Sequence, residues 1–155
     1  MIAVDTNILV YAHRTDAQWH EEAAAAIRAL AEGAAPWAIP WPCVHEFLAI
    51  VTHPRIFKTP TPLSAALDQV DAWRESPSMV WLGEPDEYWD GFRMLVSQAR
   101  ITGPRTHDAR VAAICLAHHV RELWTADRDF SLFSGLKVRN PLVGRSEGRM
   151  PGSKS

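Results

Sequence analysis

Four acidic residues stand in settings where carboxylates could act together. Asp5 follows the apolar run Ile2-Ala3-Val4 and precedes Thr6-Asn7. Asp127 comes soon after a second apolar stretch, Leu123-Trp124-Thr125-Ala126. Asp108 has Val111 and Ala112 three and four positions on, at the end of an apolar stripe. Glu46 shares a helical line with Cys43, Ala49 and Ile50, and is expected to point inward. A carboxylate directly after a buried strand lies at the strand's carboxyl end, the edge where open α/β sheets bind ligands. Each residue alone also has an ordinary structural role. Asp5 suits an N-cap or turn, Asp108 a helix dipole, and Glu46 an ion pair at the rim. Together they raise a different chemistry. Several carboxylates within a few ångströms cannot all stay ionised without a counter-cation. All-oxygen ligands of this kind prefer magnesium or manganese to zinc. Such an ion can activate a water and steady the charge on a phosphate under attack.

The elements that must position these acids follow from the apolar patterning. Short apolar runs at Ile2–Val4, Trp37–Pro40, Met79–Leu82 and Glu122–Thr125 read as buried strands, with a short last strand at Leu136–Val138. Helical segments separate them. One covers about Ile8–Ala12, and one runs from about Ala17 to Glu32, capped by Asp16 and ended by Gly33. A third, with Pro42 in its first turn, carries Val44, Phe47, Leu48 and Val51 on its inner face. A fourth is marked by Leu63, Ala66, Leu67, Val70 and Trp73. A fifth has Trp89, Phe92, Val96 and Ala99 as its buried face, and a last one runs to about His119. Strands alternating with helices argue an α/β fold around a mainly parallel sheet. If the first and fourth strands are parallel, Asp5 and Asp127 emerge on one edge, and the helix bearing Asp108 starts near it.

The bulk numbers are compatible with this. A chain of 155 residues with 47% hydrophobic content is one ordinary domain with a real core. No apolar run reaches the ~20 residues of a membrane span. No basic and then apolar leader opens the chain, and Cys43 and Cys115 have no metal-type spacing. The cysteines are expected to be reduced core residues of a cytoplasmic protein. A net charge of −2 gives no global pull toward nucleic acid, although a local basic rim can supply one. Arg14, Arg55, Lys58, Arg100, Arg105, Arg110 and Arg128 are candidates for that rim, with a solvated surface as the alternative. Trp37 and Trp41, set among prolines, read as core, with a partner contact as the alternative. There is no G-x-x-x-x-G-K-[ST] loop, G-x-G-x-x-G turn or G-x-S-x-G elbow, so nucleotide cradling and serine chemistry have no support.

Four segments in order resemble one family. They are Val4-Asp5-Thr6-Asn7, the mid-chain helix glutamate Glu46, His107-Asp108-Ala109-Arg110-Val111-Ala112-Ala113, and Thr125-Ala126-Asp127-Arg128-Asp129-Phe130. They resemble the PIN-domain ribonucleases, and most closely the VapC toxins of bacterial VapBC pairs. Phe133-Ser134-Gly135-Leu136 through Asn140-Pro141-Leu142 is similar to the mycobacterial branch. The resemblance implies a three-layer α/β/α sandwich with four to five strands over residues 1–143, leaving 144–155 as a disordered tail. It implies a Mg2+- or Mn2+-dependent endoribonuclease in which Asp5 and Asp108 are the main metal ligands. Glu46 and Asp127 complete the pocket, and Thr6, Asn7 and Thr125 orient the acids. Asp129 is a second candidate for the fourth acid. The implied partners are RNA, a second copy of the chain and a VapB-type antitoxin whose C-terminal segment fills the acidic groove, often with an arginine. Two other readings stay open on the sequence. One is a DNA nuclease using the same acids, and the other a binding protein with a silent pocket. A haloacid-dehalogenase-type phosphatase fits worse, because Asp5-Thr6-Asn7-Ile8 departs from its D-x-D-x-[TV] pattern.

Overall fold

The computed structural model describes residues 1–143, so the tail expected at 144–155 lies outside the described residues. The chain runs β1 (Ile2–Val4), α1 (Thr6–His13), α2 (His20–Glu32), β2 (Trp37–Pro40), α3 (Trp41–Val51) and α4 (Leu63–Arg74). It continues through β3 (Met79–Leu82), α5 (Tyr88–Ala99), α6 (Arg105–Ala117), β4 (Glu122–Trp124), a 3-10 turn (Arg128–Leu132) and β5 (Val138–Arg139). The five strands form one sheet in the order β3-β2-β1-β4-β5. Every pairing is parallel, with Ile2 opposite both Trp37 and Glu122. Parallel strands need crossovers, and crossovers are right-handed. The path from β1 through β2 to β3 moves one way along the sheet, and the return to β4 and β5 moves the other. The helices therefore divide between the two faces. α1 packs on α2 and α3, and α3 on α4, while α5 packs on α6. The three-layer α/β/α arrangement expected from the sequence is the observed one.

The reversal in strand order falls between β1 and β4. At such a switch point the loops leave in opposite directions and open a crevice beyond the carboxyl ends of the strands. Asp5 stands at that end of β1, and Thr125 to Asp127 at that end of β4. The central strands are buried on both faces: Ala3, Val4, Trp37, Ala38, Ile39 and Leu123 lie in the core. α6 has Ala109, Val111, Ala112, Ala113, Ile114 and Cys115 buried, so it is covered nearly all round. Both cysteines are free and buried, and among the described residues no helix is long and apolar enough to cross a membrane.

Several expectations need correction. α2 begins at His20 and not near Ala17, because Arg14 engages the Asp16 carboxylate that was expected to cap it. The last strand is Val138–Arg139, one step beyond Leu136–Val138. Leu63 is 62% exposed and Leu67 is also exposed, since the stripe α4 turns inward is Ala66, Val70 and Trp73. Trp89 is 60% exposed and Leu95 takes the buried place on α5. An indole at position 89 can still cover apolar surface, and its ring leans on Phe92 at 5.8 Å.

Arg14, a candidate for the RNA rim, is engaged within the fold. Its side chain is only 10% exposed and pairs with Asp16. It donates to the Thr59 carbonyl at 2.8 Å and lies 4.0 Å over the Phe57 ring. It thereby ties the segment after α3 to the end of α1, beside His13, whose ring bridges Gln69 and Thr61. Arg14→Ala is expected to lower Tm by several degrees, from lost packing and hydrogen bonds, and to leave RNA affinity unchanged in a filter-binding assay.

Candidate active site

Asp5 is the best-held acid. Val4 ends the strand, Asp5 adopts an extended conformation as N-cap of α1, and its Oδ1 accepts the Thr6 amide at 2.8 Å. Its backbone N–H donates to the Trp124 carbonyl at 2.9 Å, which ties the ends of β1 and β4 together. Oδ2 accepts the Thr125 hydroxyl at 2.8 Å and, at 3.4 Å, the Asn7 amide. The Cys43 thiol lies 3.5 Å from Oδ1. Asn7 also donates to Thr125 Oγ1 at 3.0 Å and accepts the Ala126 amide at 3.1 Å. Thr6, Asn7 and Thr125, the residues expected to orient the acids, each donate a hydrogen bond to this one carboxylate. The sequence predicts a plain core residue at Cys43, and the structure adds this contact with the site. The signal that could have found it is its position three residues before Glu46, just after β2 reaches the same edge.

Glu46 departs from the inward line expected of it. The buried residues of α3 are Cys43, Val44, Phe47 and Val51, while Glu46 and Ala49 are exposed. Glu46 nevertheless meets the site, accepting the Thr6 hydroxyl at 3.2 Å. It lines a cavity of about 250 Å³ with Pro42, His107, Asp108, Arg110 and Val111. Asp108 is half-buried in the first turn of α6. Asp127 uses Oδ1 to accept the Asp129 amide at 2.8 Å, and its own amide donates to Thr125 Oγ1 at 3.0 Å. Asp129 is exposed and pairs with Arg105 at 3.5 Å. Of the two candidates in this loop, Asp127 is therefore the one tied directly to the Thr125–Asp5 network. Arg110 is engaged by Glu84, and Arg128 is exposed. A larger cleft of about 400 Å³, between His13–Asp16 and Thr59–Pro62, is lined by none of these site acids; the acid it does have, Asp16, is held by Arg14.

The electrostatics couple the acids. Burial pushes the Asp5 carboxyl up to about 6, against the hydrogen bonds from Thr125, Thr6 and Cys43, and Glu46 adds repulsion. Burial also raises Asp108, with repulsion from Asp127, Glu46 and Asp129, opposed by Arg105. Glu46 thus acts on both Asp5 and Asp108. The donor set suits a hard divalent cation. The groups are carboxylate and hydroxyl oxygens, and the contacts from Cys43 and Asn7 are long enough to leave lone-pair capacity on Asp5. Among the described residues no three acidic, imidazole or thiol groups are already gathered as a ligand cage. Glu46 disfavours ionisation of both Asp5 and Asp108, and a bound cation would offset that repulsion.

The raised Asp5 value carries a signed consequence. Between its ordinary value of 3.8 and about 6, the folded protein keeps a proton that the unfolded chain has lost. The contribution of this residue to stability is therefore greatest at low pH and falls as pH rises through that window. Metal-free Asp5→Asn should be most stable relative to wild type at about pH 7, with the gap closing by ~3 kcal/mol at most toward about pH 4.5. Denaturant unfolding at both pH values measures it, and a gap that widened on acidification would contradict the burial effect.

A model of the PIN domain matches residues 2–136. The chain is 35% identical over 146 residues to the VapC ribonuclease Mb2897 of Mycobacterium bovis, covering 94% of this chain and 99% of that one. The chain belongs to the PIN-domain family, among the VapC ribonucleases. Solved structures share the fold. VapBC2 from Rickettsia felis, bound to a DNA fragment from its promoter, superposes with a TM-score of 0.68 at 19% identity, covering 90% of this chain and 98% of that one. A toxin–antitoxin complex from Klebsiella pneumoniae gives 0.60 at 19% identity, covering 91% and 98%. PIN-domain ribonucleases use divalent metal, and the acids of this edge are where this VapC-family chain could hold one.

Proposed function

We propose that this protein is the toxin of a toxin–antitoxin pair, an endoribonuclease of the cytoplasm that hydrolyses RNA phosphodiester bonds with Mg2+ or Mn2+. The observation that carries the reading is the edge of the sheet at the switch point. There Asp5, pinned by Thr6 and Thr125, shares Glu46 with Asp108, while Asp127 hangs from the same threonine. Asp5 and Asp108 are the main metal ligands in this reading, with Glu46 and Asp127 completing the set. When bound, the ion supplies positive charge for the phosphate and lowers the cost of ionising the attacking water. The chain's own residues do the rest. Thr6, Thr125 and Asn7 fix the direction of the carboxylates, so no reorganisation is needed as charge develops. In this reading Arg105, at the start of α6 and paired with Asp129, and the exposed Arg128 supply positive charge for RNA phosphates.

The partner is an antitoxin, as the VapBC and toxin–antitoxin likenesses support. A guanidinium inserted among the acids would pair with carboxylates and replace the metal's charge. The protein is expected to be a homodimer. The test is cleavage of matched RNA and DNA strands by purified protein with and without the antitoxin. RNA should be cut and the antitoxin should stop it. A DNA strand cut as fast would move the reading to a DNA nuclease, and an antitoxin that bound while leaving the groove open would sink the inhibitory mechanism.

A further inference from the structure

The edge that carries the acids also carries an aromatic pair that none of the chemistry above uses. Trp41 opens α3 directly after β2 and remains 40% exposed. Its ring stacks on Trp81 of β3, with centroids 4.4 Å apart and planes 18° from parallel. The stack covers one face of the Trp41 indole, so the exposed area belongs to the other face and the edge. Near that indole is Gly83, where an added Cβ would stand 3.7 Å from Trp41 Cδ1. The next residue, Glu84, holds Arg110. Arg110 lines the acidic cavity with Pro42, the neighbour of Trp41, and with Glu46 and Asp108. Trp41, Gly83, Glu84, Arg110 and Pro42 therefore form one continuous rim from the indole to the acids.

Unpaired bases present π faces and stack on aromatic side chains, whereas bases inside a duplex are already stacked. An indole held flat by a second indole has little rotamer freedom left to lose when a base settles on it. We propose that Trp41, backed by Trp81, is the stacking platform for an unpaired base of the RNA substrate beside the scissile phosphodiester. This rests on the ribonuclease reading and deepens it. The substrate is single-stranded at the cut, and Trp41 positions it without touching the reacting atoms.

The test is steady-state cleavage of a short single-stranded RNA by wild type, Trp41→Phe, Trp41→Leu and Trp41→Ala. Trp41→Ala should raise KM by about tenfold with kcat little changed, the scale of losing one base–aromatic stack. Trp41→Phe should recover most of the loss. Trp41→Leu keeps apolar bulk without a π face and should not, and it serves in place of Trp41→Ala if that variant folds poorly. A scan of the RNA with single abasic positions supplies the coupling. One position should penalise wild type and cease to matter in Trp41→Leu. An unchanged KM, or no coupled position, overturns the platform while wild-type cleavage leaves the ribonuclease reading intact. Conversion of Trp41→Leu to a monomer with loss of activity would also overturn it, by assigning the indole to contact between copies. Wild type that cuts no RNA overturns the ribonuclease reading itself.

Discussion

Asp5→Asn and Asp108→Asn should each reduce RNA cleavage by about 10³-fold or more while the protein stays folded. Several kcal/mol of charge stabilisation at the phosphate depends on these groups, and each 1.36 kcal/mol is tenfold in rate. Asparagine at position 5 keeps the size of aspartate and one acceptor oxygen, so the Thr6 amide or the Thr125 hydroxyl retains a partner. What it loses is negative charge, which in the metal-free protein is a cost: burial and Glu46 both disfavour ionised Asp5. Tm without metal should therefore stay level or rise at about pH 7. Asp108→Asn removes a carboxylate that feels three other acids, with the same expectation. A variant that lost activity together with its fold would assign the acid to architecture. Retained activity in both variants would remove them from the chemistry.

The sequence made part of this site legible for a physical reason. Asp5 and Thr125–Asp127 each end a short apolar run, a signature that buried parallel strands leave and that its shortness separates from a helix. The parallel pairing of β1 and β4 then brought them to one edge, where the Asp5 amide meets the Trp124 carbonyl. Glu46 was harder, because a residue between two lines of a helix can face either way and only the packing of α3 decides. α3 buries Cys43, Val44, Phe47 and Val51, which turns Glu46 to the rim, where Thr6 reaches it. The partners of Arg14 are not legible in the sequence, because a cation in a loop looks solvated until the chain brings Asp16, Thr59 and Phe57 to it. Leu63, Leu67 and Trp89 show that an apolar residue in a helix need not face inward, since much of any protein surface is apolar. The contact of Cys43 with Asp5 has no local signal, because it joins elements 38 positions apart in sequence.

Metal removal should have the second large effect. Excess EDTA is expected to abolish cleavage, and Mg2+ or Mn2+ to restore it. The same ions should stabilise the wild type, because they bind only the folded arrangement of the acids. At about 100 times Kd the gain is ~2.7 kcal/mol, which for a domain of this size is a rise in Tm of roughly 5–10 °C. Asp5→Asn and Asp108→Asn should lose most of that rise, and Asp129→Asn, whose residue already pairs with Arg105, should lose least. The products discriminate between two attacking groups. Water attacking phosphorus with departure of the 3′ oxygen leaves a 5′-phosphate and a 3′-hydroxyl, the ends expected here. Attack by the RNA's own 2′-hydroxyl leaves a 2′,3′-cyclic phosphate and a 5′-hydroxyl instead. Cyclic phosphate ends from purified protein, or full activity in EDTA, would overturn the reading of these acids as a metal-dependent hydrolytic site.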